Sequence, residues 1–169
     1  MNARSFQKRA TRAGAFTLVE ILIVVVILGI LASIVIPQFS NATITARENT
    51  LKDDLRYLRT QIGVYKAQHD DTAPGSGSGD FAQQMTMYSN DVGVVQATSD
   101  TTHKFGPYLL RMPANPLNSK DTIKLSASAD LTTDVDDTTG WIYNPATQQI
   151  IANQSGNDTN GSGTPYSHY

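Results

Sequence analysis

The chain contains no cysteine in its 169 residues. That absence excludes a disulfide scaffold, a thiolate zinc site and a cysteine nucleophile together. Histidine is nearly as scarce. His69, His103 and His168 are scattered without metal-ligand spacing, and read as surface residues. No Ser-His-Asp pattern, phosphate-binding loop or paired-carboxylate arrangement occurs, so an enzyme is not expected. Charge is also sparse, at 17%, and the formal net value of −2 hides an asymmetry. Residues 1–15 carry Arg4, Lys8, Arg9 and Arg12 with no acid, leaving 9 basic and 15 acidic residues for the rest. An acidic body has no electrostatic footprint for phosphate backbones, so nucleic acid is not the default partner.

What the chain does have is a long apolar run. Phe16 to Ile36 reads FTLVEILIVVVILGILASIVI, with Glu20 as its one charge. At about 1.5 Å per residue a helix of this length reaches roughly 30 Å, the thickness of a bilayer's hydrocarbon core. Four basic residues precede the run and none follows until Arg47. The positive-inside rule then puts residues 1–15 in the cytoplasm and the body on the far side of the membrane. A cleaved secretory signal would have a shorter apolar region ending at a small-residue site. A plain anchor accounts for length and charge but not for Glu20, since a carboxylate inside a span costs on the order of 3 kcal/mol. That carboxylate calls for a partner.

Gly14-Ala15-Phe16-Thr17-Leu18-Val19-Glu20, followed by Ile27-Leu28-Gly29-Ile30-Leu31-Ala32, resembles the N-terminal signature of type IV pilins and type II secretion pseudopilins. The resemblance implies that a prepilin peptidase removes a basic leader on the cytoplasmic side and N-methylates the new terminus. Members usually carry Gly before the cut; here Ala15 stands there. Cleavage between Ala15 and Phe16 makes Phe16 the methylated terminus and Glu20 the fifth mature residue, as in the family. In the family this carboxylate meets the N-terminal amine of a neighbouring subunit, a counter-charge that exists only after cleavage. Gly29 permits close helix approach. Pro37 removes a backbone donor and clashes with the preceding turn, and members share a proline at this distance from the cut. Glu20, Gly29 and Pro37 are thus the candidate assembly residues.

Beyond Pro37 the pattern becomes amphipathic. Leu51, Leu55, Leu58, Ile62 and Tyr65 form one apolar stripe, with Lys52, Asp53, Arg56, Arg59 and Lys66 opposite, which predicts one helix from about Phe16 to His69 packed on a sheet. Gly75-Ser76-Gly77-Ser78-Gly79 is a linker, and a short helix is expected near Phe81 to Tyr88. Tyr108-Leu109-Leu110-Arg111-Met112-Pro113-Ala114-Asn115-Pro116 resembles the segment that leads into the pseudopilin sheet. Ile123, Leu125 and Ala127 alternate as a strand, and Trp141–Tyr143 with Gln149–Ala152 flank a turn at Asn144-Pro145. Trp141 reads as a core aromatic. The expected fold is α+β: a long N-terminal helix on a small C-terminal antiparallel sheet. The segments are a leader over 1–15, a membrane and filament-core helix over 16–36, an amphipathic helix over 37–69, a head over 70–153 and a flexible polar tail over 154–169.

Asp130, Asp134, Asp136 and Asp137 crowd one loop. It reads either as a solvated acidic loop or as an oxygen-rich calcium site; major pseudopilins resemble the second case, holding calcium near the C-terminal sheet. The resemblance implies a structural subunit of a type II secretion pseudopilus, inserted in membrane lipid before it enters a homo-oligomeric filament. Its implied partners are other pseudopilins, the prepilin peptidase and an inner-membrane assembly platform. A type IV pilin or minor pilin for adhesion, motility or DNA uptake shares the N-terminal signature, and a monomeric membrane-anchored binding protein shares the span alone.

Overall fold

The computed structural model describes residues 16–77, 79–159 and 162–169. They form two compact units, one ending at Ser40 and one comprising Asn41–Tyr169. Helix α1, Leu18–Gln68, supplies the first unit and the opening of the second, with Pro37 inside it. Its beginning is a capping box. Thr17 Oγ1 accepts from the Glu20 backbone N–H at 3.2 Å, while a Glu20 carboxylate oxygen accepts from Thr17 N–H and Oγ1–H at 3.0 Å each. Two donors that a helix start leaves without partners are thereby satisfied. The helix stops where Asp70 and Asp71 take left-handed backbone angles, φ 48° and 63°, a region that Asp tolerates better than most residues. Lys66, in the last turn, pairs with Asp71 at 3.1 Å.

In the second unit the apolar stripe of α1 is buried: Leu51, Leu55, Leu58, Ile62 and Tyr65. It packs with Phe81, Met85, Trp141, Tyr143, Ile150 and Ala152 in one core. Helix α2, Phe81–Thr86, starts on Asp80, whose carboxylate accepts from Gln83 N at 2.8 Å. It ends before the expected Tyr88, because Tyr88–Ser89 (β1) pairs antiparallel with Val95–Gln96 (β2). The main sheet contains Ile123–Leu125 (β3), Trp141–Asn144 (β4) and Gln149–Ala152 (β5), in the order β3-β4-β5. The central strand β4 is buried at all four residues. The β4–β5 hairpin is antiparallel as expected, and Asn144 Oδ1 sets its turn by accepting from Ala146 N and Thr147 N. The sheet is mixed, however, because β3 runs parallel to β4. Alternation marks a strand without telling its direction.

The segment before the sheet is tied to it by polar contacts. Trp141 Nε1 donates to Pro113 O at 2.9 Å and Asn115 Nδ2 donates to Gly140 O at 2.9 Å. Gly140 lies so close to the neighbouring chain that a Cβ there would sit 2.0 Å from Lys120 O. Only glycine fits.

Two further expectations are corrected. The tail over 154–169 is not free of the head: Tyr166 is buried in the core, and Thr159 N, Thr159 Oγ1 and Tyr166 OH donate to one oxygen of the fully buried Glu48 at 2.7, 2.9 and 3.0 Å. Aromatic burial and a carboxylate acceptor outweigh the tail's polar composition. His69, read as a surface residue, is buried. Its ring stacks on Tyr65 at 3.8 Å between centroids, with Nδ1 2.7 Å from Tyr65 O and Nε2 3.0 Å from Ser89 Oγ. A carbonyl only accepts, so Nδ1 carries hydrogen and donates to Tyr65 O.

Candidate functional site

The first unit offers a helix long and apolar enough to cross a membrane. Ala15 lies outside the described residues, while Phe16, the other side of the expected cut, is 80% exposed. Glu20 is held by Thr17 one turn before it. That role was legible as Thr-x-x-Glu opening an apolar run, and the sequence reading passed over it. Beyond its own stretch of helix backbone, nothing stands within 4 Å of where a Cβ at Gly29 would be, which leaves open space on the helix surface. Pro37 lies two turns further along the same helix, which continues through it. Within the monomer, the apolar side chains of this unit are exposed on every side.

Asp130, Asp134, Asp136 and Asp137 of the second unit lie between β3 and β4, each in a different set of contacts. Asp130 caps the 3-10 turn Leu131–Asp134 by accepting from Thr132 N and Oγ1 at 3.0 and 2.7 Å, bonds that hold its carboxyl below the usual range. Asp134 accepts a short hydrogen bond from Ser126 Oγ. Asp137 accepts from Ser155 N and Oγ at 2.6 and 2.5 Å. Asp136 takes Asn153 Nδ2 at 2.7 Å and Thr138 Oγ1 at 2.7 Å on one oxygen and Lys124 Nζ at 2.9 Å on the other. The Asn153 bond first, then Lys124 and Thr138, hold the Asp136 carboxyl far below the ordinary range. Among the described residues, no three His, Cys, Asp or Glu side chains are placed to hold a metal ion. Calcium needs six to eight oxygens at 2.3–2.6 Å. Here the carboxylates face N–H and O–H donors and a lysine ammonium, so the residues do not fit the calcium site that the resemblance implies.

Comparison with known proteins bears on both units. A family model described as the prokaryotic N-terminal methylation motif matches residues 11–36, the segment around Phe16, Glu20 and Gly29. Type II secretion system core protein G of Klebsiella pneumoniae is 30% identical over 112 residues, 64% of this chain and 71% of that one. The chain belongs to the core protein G family. The core protein G of Pseudomonas aeruginosa is 31% identical over 104 residues, and that of Dickeya chrysanthemi 36% over 70. These matches take in 60% and 40% of this chain, and the chain spans 66% and 46% of those two relatives. No solved structure gives a match. Membership of the core protein G family identifies the chain as a pseudopilin and agrees with the α+β fold, a long helix with small sheets packed against its second part.

Proposed function

We propose that this chain is a structural subunit of a type II secretion pseudopilus. The carrying observation is one carboxylate, Glu20, near the start of an otherwise apolar run, Phe16 to Ile36, that lies in the segment matched by the methylation motif. The leader is removed between Ala15 and Phe16 by a prepilin peptidase, and Phe16 becomes the methylated terminus. Before assembly the helix lies in the inner membrane with its N-terminus cytoplasmic and the head outside. The Thr17 donors supply part of what the Glu20 carboxylate loses on leaving water. They are neutral, and an ionised group within a membrane span typically pairs with an opposite charge. The amine of a neighbouring copy's Phe16 supplies it, which makes assembly dependent on cleavage. The bare surface at Gly29 admits a neighbouring helix closely. Pro37, which lacks the N–H that would bond one turn back, is the point where the helix opens most easily in a filament. Other pseudopilins and an inner-membrane assembly platform complete the set of partners, and filament growth drives protein export.

Glu20→Gln keeps the shape and the Thr17 contacts but removes the charge. The variant is expected to insert and to be cleaved, read by intact mass, and to form few or no filaments by electron microscopy. Normal filaments would overturn the pairing, and a mature terminus other than Phe16 would overturn the cleavage point.

A further inference from the structure

The crossover from β3 to β4 contains the acidic loop, and two of its backbone oxygens and one carboxylate meet lysine ammonium groups. Lys124, the middle residue of β3, places Nζ 2.9 Å from Asp134 O and 2.9 Å from Asp136 Oδ2. Lys120 Nζ lies 2.5 Å from Asp137 O. Asn153, directly after β5, accepts from Asp136 N and Asp137 N at 2.9 and 3.1 Å and returns its Nδ2 to Asp136 Oδ1. The loop is therefore bound to β3 by an ammonium and to the residue just after the β4–β5 hairpin by an amide. Lys124 and Asp136 are both partly shielded, with side-chain exposures of 33% and 39%, so their attraction is less screened than that of a fully exposed pair.

A divalent cation at this place would have to displace Lys124 or sit beside it. Displacement exposes an ammonium that now bridges a carbonyl and a carboxylate; coexistence sets like charges a few ångströms apart. We propose that the Lys124 ammonium is the resident cation of the 134–137 loop, and that this head closes its β3–β4 crossover without calcium. An ammonium attached to the strand binds at an effective concentration fixed by the fold and is never diluted. Closure of the loop is then insensitive to the calcium level outside the membrane.

The test uses the full chain in detergent micelles. Thermal unfolding followed by near-ultraviolet circular dichroism at Trp141 is expected to give the same Tm in 2 mM calcium and in excess chelator. Calorimetric titration with calcium is expected to give no saturable heat. A Tm raised by calcium and lowered again by chelator, or a saturable isotherm, would overturn the proposal without use of any variant, because binding to the folded state must raise Tm by linkage. Lys124→Met removes the ammonium and keeps most of the stem. It is expected to lower Tm by several degrees and to admit protease into residues 126–140 under native conditions, while Lys124→Arg restores most of the loss. Wild-type melting and protection in Lys124→Met would equally overturn it. Should Lys124→Met not fold, Asp136→Asn tests the same pair from the loop side, with the same expected loss and the same contrary result.

Discussion

Tyr166→Phe separates a docked tail from a merely adjacent one. The substitution keeps the ring, which lies in the core, and deletes the hydroxyl that donates to Glu48 at 3.0 Å. Burial, followed by the hydrogen bond to Glu48 and its charge, pushes the Tyr166 phenol above its usual pKa, so it donates throughout the neutral range. A hydrogen bond to a charged group contributes about 1.5–3 kcal/mol net, and the low end applies here because Thr159 still donates twice to the same oxygen. A loss of about 1.5–2 kcal/mol follows. For a unit the size of residues 41–169 this corresponds to roughly 5–8 °C in Tm. Glu48→Ala is the stronger perturbation. It leaves Thr159 N and the Tyr166 hydroxyl without their acceptor, at a cost of about 3–5 kcal/mol. Thermal melts of the full chain in detergent, paired with limited proteolysis, read both effects. The tail beyond Asn153 is expected to become cleavable in Tyr166→Phe before the rest of the head. If Tyr166→Phe melts within about 1 °C of the parent and its tail is cut no faster, the hydroxyl does not hold the tail and the reasoning fails.

Gly140→Ala places a Cβ against Lys120 O, a backbone atom with no flexible side chain to yield. The variant is expected to lose several kcal/mol or fail to fold, seen as loss of the cooperative melt. Leu55→Ala, in the buried stripe, is expected to cost about 2–5 kcal/mol in the same assay. Acid is a further test, since hydrogen bonds from His103 and Thr102 backbone hold Asp100 at about 2, and Asp136 is depressed further. Carboxyls depressed by folding add stability above their unfolded value of about 4, and that stability is lost as pH falls from about 4 through about 2. A head whose Tm is flat between pH 5 and pH 2.5 would refute those contacts.

The parts of this molecule that the sequence exposes are those governed by one-dimensional spacing. Leu51 to Tyr65 announces its buried face because helical periodicity places every third or fourth residue together, and Asn144-Pro145 announces a turn through its own local chemistry. Glu48 falls three residues before Leu51, on the same stripe, but a carboxylate there reads as the stripe's end. Two of its partners, Thr159 and Tyr166, lie 111 and 118 residues away, beyond any local pattern. His69 follows Tyr65 by four and continues the same face. Reading it by polarity instead of position put it on the surface. The aspartates of 130–137 show a different limit: their proximity in sequence left a solvated loop and a cation site both open, whereas the fold gives each different donors. Only the placement of Lys124 on the adjacent strand, opposite Ile142 of β4, reveals what neutralises Asp136.

Those long-range polar contacts also answer a problem set by the sheet. Strands of three and four residues bring few ladder bonds, and so small a sheet depends on what packs and ties it. The burden is greatest at β3, because a parallel partner requires a crossover of a dozen or more residues, usually a helix. Residues 126–140 contain no α-helix, only the 3-10 turn Leu131–Asp134. A crossover that buries little apolar surface of its own needs directional contacts to hold its path. Lys124, Asn115, Asn118 and Asn153 provide them: Lys124 bonds Asp134 and Asp136, Asn115 bonds Gly140, Asn118 bonds Thr139, and Asn153 bonds Asp136 and Asp137. Each of these oxygens and amides would otherwise need water or a bound ion. Polar side chains fixed on the surrounding strands and loops thus hold a path that a crossover helix or a bound cation would otherwise have to hold.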